Sequence, residues 1–362
     1  MLKVGSSLLT LDGEGLSERH AGGLARFVGD SLAACREVVI VSSGAVSAGR
    51  AVLQRSPRTG AALAERQALA ALGQARVVAL WQGLLPRPVA QVLLTHDDLR
   101  NRRRYLNARA TLRALLAMDA VPVINENDTV SVDELKLGDN DNLAAAVAAL
   151  VDADALFIAS DIDGFFSANP RIRADARPID RVAAVTPELM AMAGAAGSSA
   201  GTGGMRTKLE AAAKASAAGI GTWLFNGTDA STVAGLAQGQ FRGTRFDPAG
   251  TRVAARKHWL RTVPLAPGAI VVDAGAAQAM LAKGASLLAG GILEAEGGFS
   301  RGDMVQVRQR GDRGDTAIAR GISQYSAVDI RRIARRHSRD IESILGYNYG
   351  GNVIHRDDLV LL

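Results

Sequence analysis

The sequence predicts an α/β fold: an open, mostly parallel sheet sandwiched by helices, followed by a small β-rich domain. Three observations predict it. Over the first 240 residues, short apolar runs alternate with helix-length segments. Several of those runs, VVIVS (38–42), VPVIN (121–125) and ALFIAS (155–160), are apolar throughout. Strands that do not alternate are buried on both faces, as in parallel sheets covered by helices. Beyond DPAGTRVAARKHWL the style changes to short strands and short helices.

The elements follow in order. LKV (2–4) reads as a short strand and GSS as the loop after it. A helical pattern over 16–34 puts Leu24, Phe27, Val28 and Leu32 on one face. After VVIVS comes SGAVSAG and a helix, then a long alanine-rich helix over 60–84, the strand VAQVLLT (89–95) and a helix near 103–118. VPVIN precedes a polar stretch, and GDNDNLAAAVAALV opens another helix before ALFIAS. The small-residue segment 191–205 reads as a mobile loop, 209–219 as a helix stopped at Gly219, and TWLF (222–225) as a strand. The tail reads as strands at 269–273, 303–309 and 316–323 with helices at 274–283 and 326–336. The expected organisation is 1–250 as a first domain, 251–262 as a linker and 263–362 as a second; no internal repeat is present.

At 48% hydrophobic and 22% charged, the chain suits a soluble globular protein. It holds no apolar run of the roughly 20 residues that span a bilayer and no leader-like segment before LKV, so the cytoplasm is the default location. One cysteine, Cys35, excludes an internal disulfide framework and cysteine-based zinc sites. The net charge of +6 fits either a polyanionic partner such as nucleic acid or a general preference for arginine. Only six of 42 basic residues are lysine: Lys3, Lys136, Lys208, Lys214, Lys257 and Lys283. A lysine kept against that drift fits places where a compact point charge is wanted.

Four loops follow strands: GSS, SSGAVSAG, the stretch INENDT to GDNDN, and SDIDG. Ligands of open parallel sheets bind at the carboxyl ends of strands. GTGGMRTK (201–208) adds a glycine-rich entry to a helix, where backbone N–H groups and the helix dipole favour an anion. Several such loops at one sheet edge, two with a lysine nearby, point to a phosphate site. GTGGMRTK is not a P-loop, because Thr207 stands where GxxxxGK[ST] needs glycine. No histidine lies near these loops, which argues against Ser-His-Asp chemistry. A helix cap explains one of the four short polar residues 139–142 but not all, and the spacing is not that of a calcium loop.

Taken together, Lys3-Val-Gly-Ser-Ser, VSSGA (41–45), INEND (124–128), GDNDNLAA (138–145), SDIDG (160–164) and GTGGMRTK resemble the motifs of the amino acid kinase family. FSRGDMVQV (299–307), ARGISQYSA (319–327) and ILGYNYGGNVIHRDDLV (344–360) resemble a PUA domain. The wording is closest to members that phosphorylate the γ-carboxylate of L-glutamate at the start of proline biosynthesis. The resemblance implies ATP and Mg²⁺. It implies Lys3 and Lys208 at the ATP phosphates, with Asp141 between them as the third catalytic residue. Gly5, Ser6, Ser160, Asp161 and the loop Thr202, Gly203, Gly204, Met205, Arg206 and Thr207 would bind nucleotide. Ser43, Gly44, Asp128, Asp139 and Asn140 would bind glutamate, leaving Asn142 as a cap. It further implies feedback by proline near a hairpin over 129–137 with Asp133, Glu134 and Lys136, a homo-oligomer, and coupling to the reductase that consumes γ-glutamyl phosphate.

The sequence departs from the family pattern twice. Relatives carry a longer first strand, so either β-structure is short here or the start lies upstream. SANPR (167–171) replaces the usual TADPR, putting Asn169 in place of an aspartate. Two alternatives stay open: an acyl-phosphate-forming kinase for aspartate or N-acetylglutamate, and RNA binding through the basic stretch DIRRIARRHSRD (329–340).

Overall fold

The computed structural model describes residues 1–10, 15–54, 62–131, 140–170, 172–194, 204–312 and 314–362. It divides into two units, Met1–Arg252 and Val253–Leu362.

In the first unit the strands are β1 (Leu2–Val4), β2 (Ile40–Ser42), β3 (Val89–Leu94), β4 (Val121–Glu126), β5 (Ala155–Ser160), β6 (Phe165–Phe166), β7 (Pro178–Ile179), β8 (Arg181–Val182), β9 (Gly221–Asn226) and β10 (Thr244–Phe246). Eight of them form one sheet in the order β3-β4-β2-β1-β5-β9-β10-β8. Every pairing from β3 to β9 is parallel. β10 runs antiparallel to β9, and β8 pairs parallel with β10. β6 and β7 form a separate antiparallel pair.

The helices are α1 (Glu18–Ala33), α2 (Ala45–Val52), α3 (Leu63–Leu84), α4 (His96–Arg100), α5 (Arg102–Ala117), α6 (Asn140–Leu150), α7 (Pro187–Gly194), α8 (Met205–Ala217) and α9 (Ala230–Ala237). Side chains alternate across a strand, and the core divides accordingly. Leu2, Val4, Ile40, Val121 and Val123 pack on one face with residues of α1, α2, α3 and α9. Val41, Ile124, Leu156, Ile158 and Leu224 pack on the other with residues of α5, α6 and α8. The result is the three-layer sandwich that the unbroken apolar runs predict.

On the first face, α2 and α3 touch through glycines. A Cβ on Gly49 would stand 1.9 Å from the Leu69 carbonyl oxygen, and one on Gly73 would stand 1.9 Å from that of Ala45. Backbone meets backbone here, so neither side can yield cheaply.

Two expectations need correction. Residues 191–194, read as loop, end helix α7, whose Leu189, Met190 and Ala193 pack on the second face. The small residues there are mainly alanines and methionines, which favour helix; 195–203 lie outside the described residues. The stretch expected as a linker carries the helix Arg252–Thr262. The helix expected over 326–336 stops at Ile333, and Arg335 has φ 61°, where a right-handed helix cannot continue. α4 escaped the sequence reading, although Thr95 and Asp98 cap its start reciprocally through side chain and backbone.

The second unit holds a five-stranded sheet in the order Ile292–Gly297, Gly268–Val272, Met304–Gln309, Thr316–Ile322, Leu359–Leu361. Tyr325 is a buried anchor of this unit. The Tyr325 hydroxyl lies 2.7 Å from the Gly350 carbonyl and accepts from the Tyr349 amide at 2.9 Å. In the basic stretch, Arg331 donates to the Ala295 carbonyl at 2.9 Å and Arg332 to that of Ile344, so both guanidiniums bind the unit's own backbone. Among the described residues no helix is long and apolar enough to cross a membrane.

The α2–α3 crossing gives a direct test. Gly49→Ala should lower the Tm by roughly 5 °C or more, because overpacking of this kind costs about 1–3 kcal/mol. Gly83→Ala on α3, with nothing within 4 Å of a new Cβ, should be neutral or slightly stabilising. Thermal denaturation of the two variants makes the comparison.

Candidate active site

β1 lies in the middle of the sheet between β2 and β5. Leu2 and Val4 point to the first face, so alternation sends Lys3 to the second, toward α6 and α8. There its Nζ lies 2.5 Å from Asp141 Oδ1. Lys208 Nζ lies 3.1 Å from the other oxygen, Asp141 Oδ2. The three residues are 5%, 1% and 6% exposed, for Lys3, Asp141 and Lys208.

The two helices reach this point by the same pattern. Asp141 begins a face continued by Ala144, Ala145 and Ala148, and Lys208 a face continued by Ala211, Ala212 and Ala215. All six alanines are buried. Spacing of three, four and seven keeps each set on one side of its helix. Methyl side chains keep the buried faces of α6 and α8 thin, and the first-turn residues Asp141 and Lys208 meet across them. Thr207 Oγ1 adds a hydroxyl 2.8 Å from Asp141 Oδ2 and 2.9 Å from the Gly204 carbonyl.

Burial alone would push the Asp141 carboxyl up. Lys3, Lys208 and the Thr207 hydroxyl outweigh it and hold the group well below the usual carboxylate range. One carboxylate against two ammoniums leaves the buried trio at net +1.

Next to the trio lies a neutral polar cluster. Asn140 Nδ2 donates to Ser43 Oγ at 2.8 Å and to Asn125 Oδ1 at 2.9 Å. Ser43 follows β2, and its amide donates to the Val4 carbonyl at 3.2 Å. Gly44 then starts α2 at φ 101°, a left-handed conformation that suits glycine. Asp128 sits half-buried in the turn after β4. On the other side, the Gly5 amide donates to the Ala159 carbonyl at 3.3 Å, and Ser6 begins a short exposed turn. Ser160 Oγ lies 3.2 Å from Asp161 Oδ1 at the end of β5. Gly204 caps α8, Met205 begins it, and Arg206 pairs with Glu210 at 3.0 Å.

The structure thus gathers Lys3, Asp141, Thr207 and Lys208 in one contact set and Ser43 with Asn140 in a second. Gly5, Ser6, Asp128, Ser160, Asp161, Gly204, Met205 and Arg206 border the same carboxyl edge. Asp139, Thr202 and Gly203 lie outside the described residues, as does the 132–137 part of the expected hairpin with Asp133, Glu134 and Lys136. Asn142 is not a cap: it sits within the first turn of α6, buried, and donates to Glu210 Oε2 at 3.3 Å. The Asn169 carbonyl accepts the amides of Ile172 and Arg173 at 3.0 and 2.8 Å, a turn role. Asn125 was not singled out by sequence; its signal was position, as a polar residue next to the end of a strand whose first four residues are apolar and buried.

Among the described residues no three histidine, cysteine or acidic side chains gather as a metal site. A parallel sheet with glycine-entered helices and a buried trio of two lysines and one aspartate at its carboxyl edge suits an anionic ligand. Residues 1–226 match the amino acid kinase family and residues 268–345 the PUA domain. The chain belongs to the amino acid kinase family. Its relatives include the glutamate 5-kinases of Xanthomonas oryzae pv. oryzae (strain KACC10331 / KXO85) and Xanthomonas campestris pv. campestris (strain 8004). Each is 70% identical over 362 residues, covering all of both chains. The glutamate 5-kinase of Xylella fastidiosa (strain M23) is 64% identical over 363 residues, covering all of this chain and 94% of its own.

Asp141→Asn should destabilise the protein by about 3–5 kcal/mol at neutral pH, because it strands two buried ammoniums. The sign of the pH dependence follows from the depressed carboxyl. Its contribution is complete above the unfolded value near pH ~4 and is lost as pH falls through the lower folded value. Denaturant titrations of wild type and variant should therefore show a gap that is constant from neutrality to about pH 5 and narrows below about pH 4.

Proposed function

We propose that the chain is a glutamate 5-kinase: it transfers the γ-phosphoryl group of ATP to the γ-carboxylate of L-glutamate, giving γ-glutamyl phosphate and ADP, the first step of proline biosynthesis. The full-length glutamate 5-kinase relatives support the substrate. The observation that carries the chemistry is the buried Lys3–Asp141–Lys208 trio with its net positive charge.

The attacking group needs no base. A side-chain carboxylate with a pKa near ~4.3 is already ionised at neutral pH. One carboxylate oxygen forms the new bond to the γ-phosphorus while the bond from that phosphorus to the bridging oxygen of ADP breaks; no proton moves. The barrier lies in bringing two anions together, and positioning and charge neutralisation lower it. Lys3 and Lys208 answer the phosphoryl oxygens from β1 and from α8. Asp141 touches both ammoniums and fixes their separation. The amino-terminal ends of α2, α6 and α8 face the same edge and favour negative charge there.

At the amino-acid end, Ser43, Gly44, Asp128, Asp139 and Asn140 would take the α-ammonium and α-carboxylate. Gly5, Ser6, Ser160, Asp161 and residues 202–208 would take the nucleotide. Mg²⁺ enters this reading as the companion ion of ATP, held chiefly by phosphates and water; the described residues offer it no cage of three ligands. Residues 1–250 would carry this chemistry, with 263–362 as the PUA-like domain joined through 251–262. Feedback by proline, self-association and a reductase that consumes the labile acyl phosphate belong to the same reading.

Two measurements test it. ADP release should be fast with glutamate and at least tenfold slower, as kcat/KM, with aspartate or N-acetylglutamate; preference for either of those would sink the substrate. Lys208→Ala should lower kcat by roughly 10²-fold or more while circular dichroism stays native. Near-normal turnover in that variant would remove Lys208 from the phosphate site.

A further inference from the structure

Helix α3 makes three polar contacts that none of the loop motifs explains. Gln67, Gln74 and Trp81 are spaced by seven residues, close to two helical turns, so they share one face. Gln67 Nε2 donates to the Ser131 carbonyl at 3.2 Å, Gln74 Oε1 accepts from Asn125 Nδ2 at 2.8 Å, and Trp81 Nε1 donates to Ser42 Oγ at 2.9 Å. Each partner adjoins the amino-acid end of the site. Ser131 follows Asp128 by three residues, Asn125 is bonded to Asn140, and Ser42 precedes Ser43.

The middle contact is the informative one. Gln74 is only 8% exposed, and among the described residues its Nε2 has no hydrogen-bond partner. A buried amide that leaves a donor unmet is costly, so for stability alone an apolar side chain would serve better at this position. The part of Gln74 that is used is its oxygen, and an amide oxygen can only accept.

That fact fixes a direction. Gln74 Oε1 commits Asn125 to turn Nδ2 toward α3 and Oδ1 toward Asn140. Asn125 Oδ1 in turn commits Asn140 to turn Nδ2 toward Asn125 and Ser43. The opposite edge of the Asn140 amide then carries Oδ1, an acceptor suited to a substrate ammonium. We propose that Gln74 is a positioning residue for the amino-acid substrate: its carbonyl sets the amide orientation of Asn125 and, through it, of Asn140. The proposal rests on the reading of Asn140 as a glutamate-binding residue. Without the Gln74 oxygen, Asn125 has no fixed polarity, and Asn140 can turn a donor toward the ammonium instead of an acceptor.

Steady-state ADP release by the full chain tests this. Gln74→Met keeps the length and removes the acceptor. It should raise the KM for glutamate roughly tenfold, leave kcat and the KM for ATP within about twofold, and leave the Tm unchanged or higher. Gln74→Glu presents an acceptor oxygen whether ionised or not, and should keep the glutamate KM within about threefold of wild type. In an Asn125→Ala background, Gln74→Met should add nothing further. The proposal is overturned if the Met and Glu variants raise KM alike, if the Met effect adds fully to that of Asn125→Ala, or if kcat, both KM values and Tm worsen together. Asn140→Ala separates the two readings. A raised glutamate KM there with none in Gln74→Met overturns the role of Gln74 and leaves the substrate site standing. An unchanged KM in Asn140→Ala removes the substrate reading and this proposal with it.

Discussion

Asp141 stands between two ammonium groups inside the protein, and most of the first unit is arranged to make that possible. An ion pair taken out of water gains only when the geometry is good and the remaining charge is answered. Here three elements far apart in sequence must deliver their side chains to one point. β1 supplies Lys3 from the centre of the sheet, α6 supplies Asp141 at its first turn, and α8 supplies Lys208 at its first turn. Moving β1 to an edge would leave its lysine in water, where a hydrated ammonium neutralises little. The parallel order places the starts of α6 and α8 at the carboxyl edge, so the helix dipoles and the two lysines lie at one place in the fold. Under the proposed function, a phosphoryl group is the anion that this edge receives.

Much of this was legible in the sequence. The unbroken apolar runs of β2, β4 and β5 announced a parallel sheet, and an open parallel sheet announced a site at its carboxyl edge. The rarity of lysine marked six positions, from which the family resemblance chose Lys3 and Lys208, and the density of short polar residues pointed to 139–142. Other features were not legible, for physical reasons. Strand order depends on pairings between distant segments, such as β1 with β5, that leave no local trace. Strands of two or three residues, such as β8 and β10, are too short to show a period. The buried alanines of α6 and α8 read as helix formers, whereas their use is to keep two helix faces thin where they meet. Gln74 was invisible for a similar reason. A glutamine in a helix looks like a solvated position until the strand beneath it is known to present Asn125 near its end.

Partners decided two readings of polar residues. Asn142 looked like a cap because polar residues at a helix start usually cap it, yet the first turn already begins at Asn140 and its side chain is drawn to Glu210. In the stretch 329–340, held as an alternative route to RNA, Arg331 and Arg332 bind carbonyls of their own unit. In both cases residue type was read correctly as polar or charged. The partner was decided by tertiary geometry.

Under the proposed function, the two ends of the site make different physical demands, and the two faces of the sheet meet them separately. An ammonium is close to a point charge with three rotatable donors. It needs enclosure and a counter-charge, but little control of orientation. The phosphoryl end is therefore built from lysines held by a carboxylate, on the face where α6 and α8 pack through alanine. An amide is directional, because reversing it exchanges donor for acceptor with almost no change in shape. The amino-acid end uses amides and hydroxyls, so it requires something that fixes their sense. That support comes from the other face, where α3 lies against α2 through Gly49 and Gly73 and turns Gln74 and Trp81 toward the strand ends. The close glycine crossing belongs to the same requirement. A helix free to slide by an ångström would still cover apolar surface, but it would no longer hold an acceptor within reach of Asn125.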